Sequence, residues 1–201
     1  MKPLPLALGI AAALTLAGCT TPPGPVEVTR FVAPDRMAQL GQGRIFVETA
    51  AGVQEDSLAL APYKAAVADE LRRLGYVESD RGNAGQIAQI SLERYVIGSG
   101  GRRSPVSVGV GGSTGSYGSG VGVGIGINLG GGPKDRLGTE LAVTIRDKAS
   151  GQSIWEGRAD FQPPENSPLA RGSANAQTVA SALFRDFPGN NGETIEVEVT
   201  E

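Results

Sequence analysis

Three patterns in the chain predict an α+β fold: an antiparallel sheet with two helices packed on one face, plus a glycine-rich β-hairpin extension. Segments such as Glu140–Arg146 and Trp155–Phe161 alternate between apolar or small residues and polar ones, the period of a strand with one buried face. Two segments, Leu60 to Leu74 and Ala176 to Phe187, place apolar residues three and four apart, the period of an amphipathic helix. Residues 98–132 hold 15 of the chain's 30 glycines, which sets them apart as an insertion in the domain.

The elements follow in order. Val26 to Val32 reads Val-Glu-Val-Thr-Arg-Phe-Val and alternates throughout, a half-buried strand. Arg44 to Thr49 is a second strand, entered through Gly41 and Gly43. Leu60, Tyr63, Val67, Leu71 and Leu74 then form one helical stripe, which puts Tyr63 in the core. Pro62 suits the first turn of that helix, where a missing N–H loses no partner. Gly75 can take the positive φ of a C-terminal cap, and Arg72 and Arg73 favour the negative end of the helix dipole. Tyr76 to Glu78 starts a strand, and Asp80, Gly82, Asn83 and Gly85 make a turn. Gln86 to Ile97 is a long strand with Ala88, Ile90, Leu92 and Val96 on one face, interrupted near the rim by Arg94. Thr139 to Asp147 and Ser153 to Phe161 form a hairpin, and Gly151 supplies the positive φ of its turn. Trp155, the only tryptophan, shares a face with Gly157, Ala159 and Phe161 and so reads as core. The second helix is expected from Ser173, as N-cap, to Phe187, with Pro188-Gly189 as its stop. Glu193 to Val199 reads as an edge strand whose glutamates guard it against further pairing.

Within residues 98–132 two alternating arms are predicted, Val106 to Val110 and Val121 to Leu129. In the second, Val121, Val123, Ile125 and Ile127 lie on one side and glycines on the other. Glycine costs entropy and packs nothing in a strand, so a bare glycine face calls for a reason. It would lie flat on another surface, form a partly ordered extension, or enter a bilayer or pair with its own copies. The longer arm spans roughly 30 Å, near the length of a bilayer strand. The shorter arm contains Ser107, and the polar lumen face of a membrane barrel is missing. The four apolar residues, with Arg102 and Arg103 at the base, are the candidate partner-binding hairpin. Gly109–Gly112 and Gly118–Gly122 imitate nucleotide-binding loops but do not open a helix after a strand, as such loops must.

Composition removes whole classes of function. The chain has no histidine and one cysteine, Cys19. That excludes Ser-His-Asp and Cys-His catalysis, thiolate–imidazole zinc sites and disulfides within the chain. Without a basic run, and with few aromatics, no nucleic-acid partner is expected. No cofactor or metal is predicted. Paired carboxylates are the remaining route to catalysis, yet Asp69, Glu70 and Glu93 read as surface residues of a helix and a strand. The chain is therefore expected not to be an enzyme.

The N-terminus carries the clearest chemistry. A basic start at Lys2, an apolar run from Leu4 to Leu16 and the small residues Ala17 and Gly18 form a secretory signal. The run is too short for the roughly 20 residues of a spanning helix. Leu16-Ala17-Gly18-Cys19 resembles the lipobox of bacterial lipoproteins. That resemblance implies cleavage between Gly18 and Cys19, a diacylglycerol on the Cys19 sulfur and a palmitoyl group on its new amino terminus. Each buried methylene adds about 0.8 kcal/mol, so two or three acyl chains anchor the protein durably. With Thr20 where Asp would mark inner-membrane retention, the same resemblance implies the inner leaflet of the outer membrane, with the chain on the periplasmic face. Residues 1–18 would be removed, residues 19–25 would form a proline-rich lipidated tether, and residues 26–201 would form one periplasmic domain. The mature chain of 183 residues keeps 17 basic and 21 acidic side chains, a net charge of −4.

The order of several motifs resembles a proteobacterial lipoprotein family with a domain of unknown function 4136. They are the lipobox, Val28-Thr-Arg-Phe31, the helix from Tyr63 to Leu71 with Leu74-Gly-Tyr76, Ser104 to Gly112, Val121 to Gly126, Ile154 to Gly157, and Phe184 to Pro188. The likeness covers about residues 26–188. It implies a sheet with two packed helices and brings no catalytic residues. The expectation is a non-catalytic binding or scaffolding module of the cell envelope. It would meet membrane lipid through Cys19 and an envelope protein through its folded part, with its oligomeric state open. The alternatives are a self-assembling or membrane-associated component using the Val/Gly hairpin, and a carboxylate-based envelope hydrolase.

Overall fold

The computed structural model describes residues 22–52, 58–98, 103–105 and 135–199. Strands β1 (Val26–Val32) and β2 (Arg44–Thr49) match their alternating segments, and a 3-10 turn at Pro34–Gln39 separates them. Helix α1 (Ala61–Arg73) follows, with Pro62 in its first turn and Arg72 and Arg73 in its last. Gly75, at φ +103°, ends it. The Gly75 N–H donates to Arg72 O at 3.2 Å and the Tyr76 N–H to Leu71 O at 3.1 Å, the paired bonds of a Schellman cap. A Cβ at Gly75 would lie 2.7 Å from Gly41 O, so the site requires glycine for space as well as for φ.

Then come β3 (Val77–Glu78), β4 (Gln86–Ile97), β5 (Arg103–Pro105), β6 (Arg136–Asp147), β7 (Ser153–Phe161), α2 (Gly172–Leu183) and β8 (Glu193–Val197). The strands form one sheet in the order β3-β2-β4-β6-β7-β1-β8, with β5 against the end of β4. The fold is α+β as predicted, but the sheet is mixed rather than antiparallel, because β2 runs parallel to both β3 and β4. The cause is α1. A helix between two strands returns the chain to its starting end, and the next strand then enters in the same direction.

The two helices pack against each other and over one face of the sheet. Tyr63, Val67 and Leu71 of α1 and Ala176, Val179 and Leu183 of α2 share a core with Val26, Val28, Leu141, Val143 and Ile145. Fully burying each large aliphatic side chain contributes about 1.5–3 kcal/mol. A register shift after Ile145 accompanies burial of two consecutive residues, Ile154 and Trp155, in that core.

Helix α2 departs from expectation at both ends. Arg171 is its N-cap and Ser173 lies inside it. It stops at Leu183 rather than Phe187. Phe184 and Phe187 instead gather round Trp155, with ring centroids 5.3 and 5.2 Å away, and the indole N–H donates to Pro188 O at 2.9 Å. A continued helix would not bring both rings and that carbonyl to one indole.

A charged residue sits in this core. Arg30 of β1 is fully buried below the end of α2. Its Nε donates to Leu183 O at 3.2 Å and its Nη2 to Ala182 O at 3.5 Å, and its Nη1 pairs with Glu193 Oε1 at 3.0 Å. The guanidinium thus caps the Leu183 carbonyl at the helix terminus, adds a second donor to Ala182 O, which also accepts from the Arg185 N–H at 3.3 Å, and faces the negative end of the dipole.

The predicted arms Val106–Val110 and Val121–Leu129 lie outside the described residues. Their points of attachment are clear. β4 and β6 are antiparallel neighbours, and Ile97 stands opposite Arg136. Residues 98–135 therefore leave and return at adjacent positions of one long hairpin. Val26 is opposite Phe161, and Phe161 is opposite Thr139, so the chain enters β1 at that same end of the sheet. The proline-rich segment does not stand clear of the domain there, since Pro23 is buried.

Candidate functional site

Alternation that sends one set of strand residues to the helices sends the other set to the opposite face. On that face Glu27 and Phe31 of β1, Glu140 and Thr144 of β6, and Glu156 and Arg158 of β7 line an open groove of about 470 Å³. Among the described residues no helix covers it, because α1 and α2 both pack on the other side.

The register organises the groove. Glu196 of β8 is opposite Glu27 of β1, and Glu27 is opposite Asp160 of β7. Asp160 is opposite Glu140 of β6, and Glu140 is opposite Glu93 of β4. Five carboxylate side chains thus occupy one row across five consecutive strands. With strands 4.7–4.9 Å apart, the row is about 19 Å long. Like charges set directly opposite each other on a sheet are destabilising, so this row works against the fold that carries it.

Part of the row is held by neighbours. Arg158 Nε lies 3.2 Å from Glu140 Oε1. The Tyr95 hydroxyl donates to Asp160 Oδ2 at 2.5 Å, and Gln162 Nε2 donates to Asp160 Oδ1 at 2.6 Å. Tyr95 reaches that position by lying across Gly138, its partner on β6, where a Cβ would come within 2.2 Å of the ring. Four residues along β1 from Glu27, on the same face, Phe31 is 53% exposed and lines the groove. Farther across the face, Glu48 accepts from Arg81 at 2.8 Å and from Gln89 at 3.0 Å. Burial raises its carboxyl, but these donors together hold it below the ordinary value. The arrangement offers a line of carboxylates at one end of the groove and an exposed aromatic ring about 13 Å along β1 from it. It is not a chelating cage: among the described residues no group of three or more acidic side chains is placed to hold a metal ion.

The residues singled out from sequence fall elsewhere. Gly18, Cys19, Arg102, Val121, Val123, Ile125 and Ile127 lie outside the described residues. Arg103 opens β5, its backbone paired with Ile97. Asp69 pairs with Arg72, and Glu70 with Arg73 at 2.8 Å, on the surface of α1. Glu93 is the one candidate carboxylate that joins the groove face. Tyr63 and Trp155 are core, and the Tyr63 hydroxyl donates to Asn175 Oδ1 at 2.6 Å. Glu27, Asp160 and Glu196 were not singled out. Their alternation put them on the wet face, but only the pairing of β1 between β7 and β8 aligns them. No helix among the described residues is long and apolar enough to cross a membrane.

Comparison with known proteins gives a family and a few distant likenesses. An uncharacterized protein of Zymomonas mobilis subsp. mobilis is 32% identical over 64 residues, which are 32% of this chain and 24% of that protein. The match thus spans about a quarter of that relative's length. Among solved structures, the PelC dodecamer from Paraburkholderia phytofirmans is similar at a TM-score of 0.47 and 13% identity, covering 79% of this chain and 94% of that one. A PDZ domain protein from Parabacteroides distasonis is similar at a TM-score of 0.49 and 11% identity, covering 87% of this chain and 39% of that one. The family described as Domain of unknown function (DUF4136) matches residues 32–189, from the end of β1 to the turn after α2, and the chain belongs to that family.

Proposed function

We propose that this protein is a lipid-anchored binding or scaffolding module of the bacterial cell envelope, held through Cys19 on the periplasmic face of the outer membrane. The observation that carries the reading is the open sheet face opposite the helices, with its groove and carboxylate row. Two large buried polar side chains support it, because they serve the fold: Arg30 caps α2, and Tyr63 ties α1 to Asn175 of α2. The lipobox supports the address. Membrane lipid is then the partner of the anchor, and an envelope protein is the partner of the exposed face.

Two measurements test the reading. Labelling cells with a palmitate analogue should mark the wild-type chain and not a Cys19→Ser variant, which should leave the membrane fraction. A photocrosslinking amino acid at Thr144, inside the groove, should trap a defined envelope protein in intact cells, whereas one at Gln177 on the outer side of α2 should not. Equal patterns from the two positions would end the reading. One observation favours a second, catalytic reading: Glu140 and Asp160 face each other within the groove. Loss of envelope-glycan hydrolysis in a Glu140→Gln variant would establish it, and absence of any hydrolysis by the wild type would remove it.

A further inference from the structure

Resting on that reading, we propose that the row Glu196–Glu27–Asp160–Glu140–Glu93 docks a lysine- or arginine-rich segment of a partner polypeptide. The row runs across the strands and is set by register rather than by loop conformation. Glu27, Glu93 and Glu196 are exposed, so a partner reaches them without rearranging the sheet. A span of about 19 Å equals roughly six residues of extended chain. Glu140 and Asp160, at the centre, are held by Arg158, Tyr95 and Gln162, so Glu196, Glu27 and Glu93 are the carboxylates offered to a basic segment, and such complementarity sets register and association rate.

Position narrows the partner further. Glu27 is eight residues from Cys19, at most about 29 Å of extended chain. The row is thereby held near the lipid surface, where anionic headgroups repel it. A basic protein segment satisfies the charge that a membrane does not.

The test uses the full chain in a neutral detergent, with fluorescent hexalysine as probe and hexaglutamate as counter-probe. Hexalysine should bind and weaken as salt rises, and hexaglutamate should not bind. Replacing Glu27, Glu93 and Glu196 with glutamine should weaken hexalysine about tenfold. The same change of net charge made on the helix side, at Asp69, Glu78 and Asp80, should cost less than about twofold. The glutamine changes relieve repulsion, so circular dichroism should show the row variant folded. Equal losses from the two triple variants, or no binding by the wild type, overturns the inference. If Thr144 still traps a defined partner in cells, the binding-module reading survives that result. If Thr144 and Gln177 trap the same proteins, both fall together.

Discussion

Arg30 shows how one residue can look ordinary in sequence and prove central in space. It holds an inward position on β1, where alternation calls for an apolar side chain, and it is fully buried. Its planar fork meets two helix-end carbonyls and one carboxylate at once, a geometry that lysine's single ammonium does not reproduce. An Arg30→Met variant keeps much of the volume but leaves the carbonyls of Ala182 and Leu183 without these donors. Urea denaturation should show a loss of about 2–4 kcal/mol. Its partner makes the contact pH-dependent. Hydrogen bonds from Asn190, with the Arg30 charge behind them, hold the Glu193 carboxyl below its ordinary value of 4.5. A carboxyl depressed in the folded state stabilises fully above its unfolded pKa and loses that contribution as pH falls through the folded value. Wild type should therefore exceed Glu193→Gln in stability at neutral pH, and the gap should close on acidification below about pH 4.5. A gap that stays constant down to pH 3, or about that, would show that Glu193 acts only through packing.

At the scale of elements, the two helices are joined by a polar contact inside an apolar interface. The Tyr63 hydroxyl donates to Asn175 Oδ1, and Asn175 Nδ2 donates onward to Leu169 O at 2.8 Å. Tyr63→Phe removes one donor and leaves a buried amide oxygen without it. The expected cost is about 1–3 kcal/mol, read as a lower denaturation midpoint with an unchanged slope. Tyr63 was legible as core because its place in the stripe fixes its side of the helix, but its partner was not, since Asn175 lies on another element. The same division runs through the other elements. Alternation located β1, β2 and β4 to the residue, because side-chain period is a local property. It carried no information on strand direction. The helix between β2 and β3 did carry that information, as any return crossover does, and it marks where the antiparallel expectation failed. The early end of α2 was hidden for a different reason: Phe184 and Phe187 fit a helical stripe, and only the position of Trp155 draws them out of it.

The whole molecule adds what neither residues nor elements carry, the order of strands. The β6–β7 turn alone was enough to bring Glu140 near Asp160, but the extension of that row to Glu27, Glu196 and Glu93 needed the placement of β1, β8 and β4 around the hairpin. Strand order also determines how the glycine-rich stretch relates to the domain. Because Ile97 and Arg136 are paired, the strands on either side of the stretch meet directly, and among the described residues between them the three of β5 also join the sheet. Loop closure costs about 0.6 kcal/mol for each doubling of length. Replacing residues 99–134 with a two-residue Asn-Gly turn therefore recovers roughly 2 kcal/mol of closure entropy. The lost pairing of β5 with β4 opposes that gain. The excised protein should melt cooperatively, with a stability within about 2 kcal/mol of wild type, and should keep hexalysine binding at the carboxylate row. A non-cooperative melt would show that the stretch is part of the fold rather than an insertion in it. Retained folding with loss of the Thr144 crosslink would instead show that the stretch and the sheet face contact the same partner.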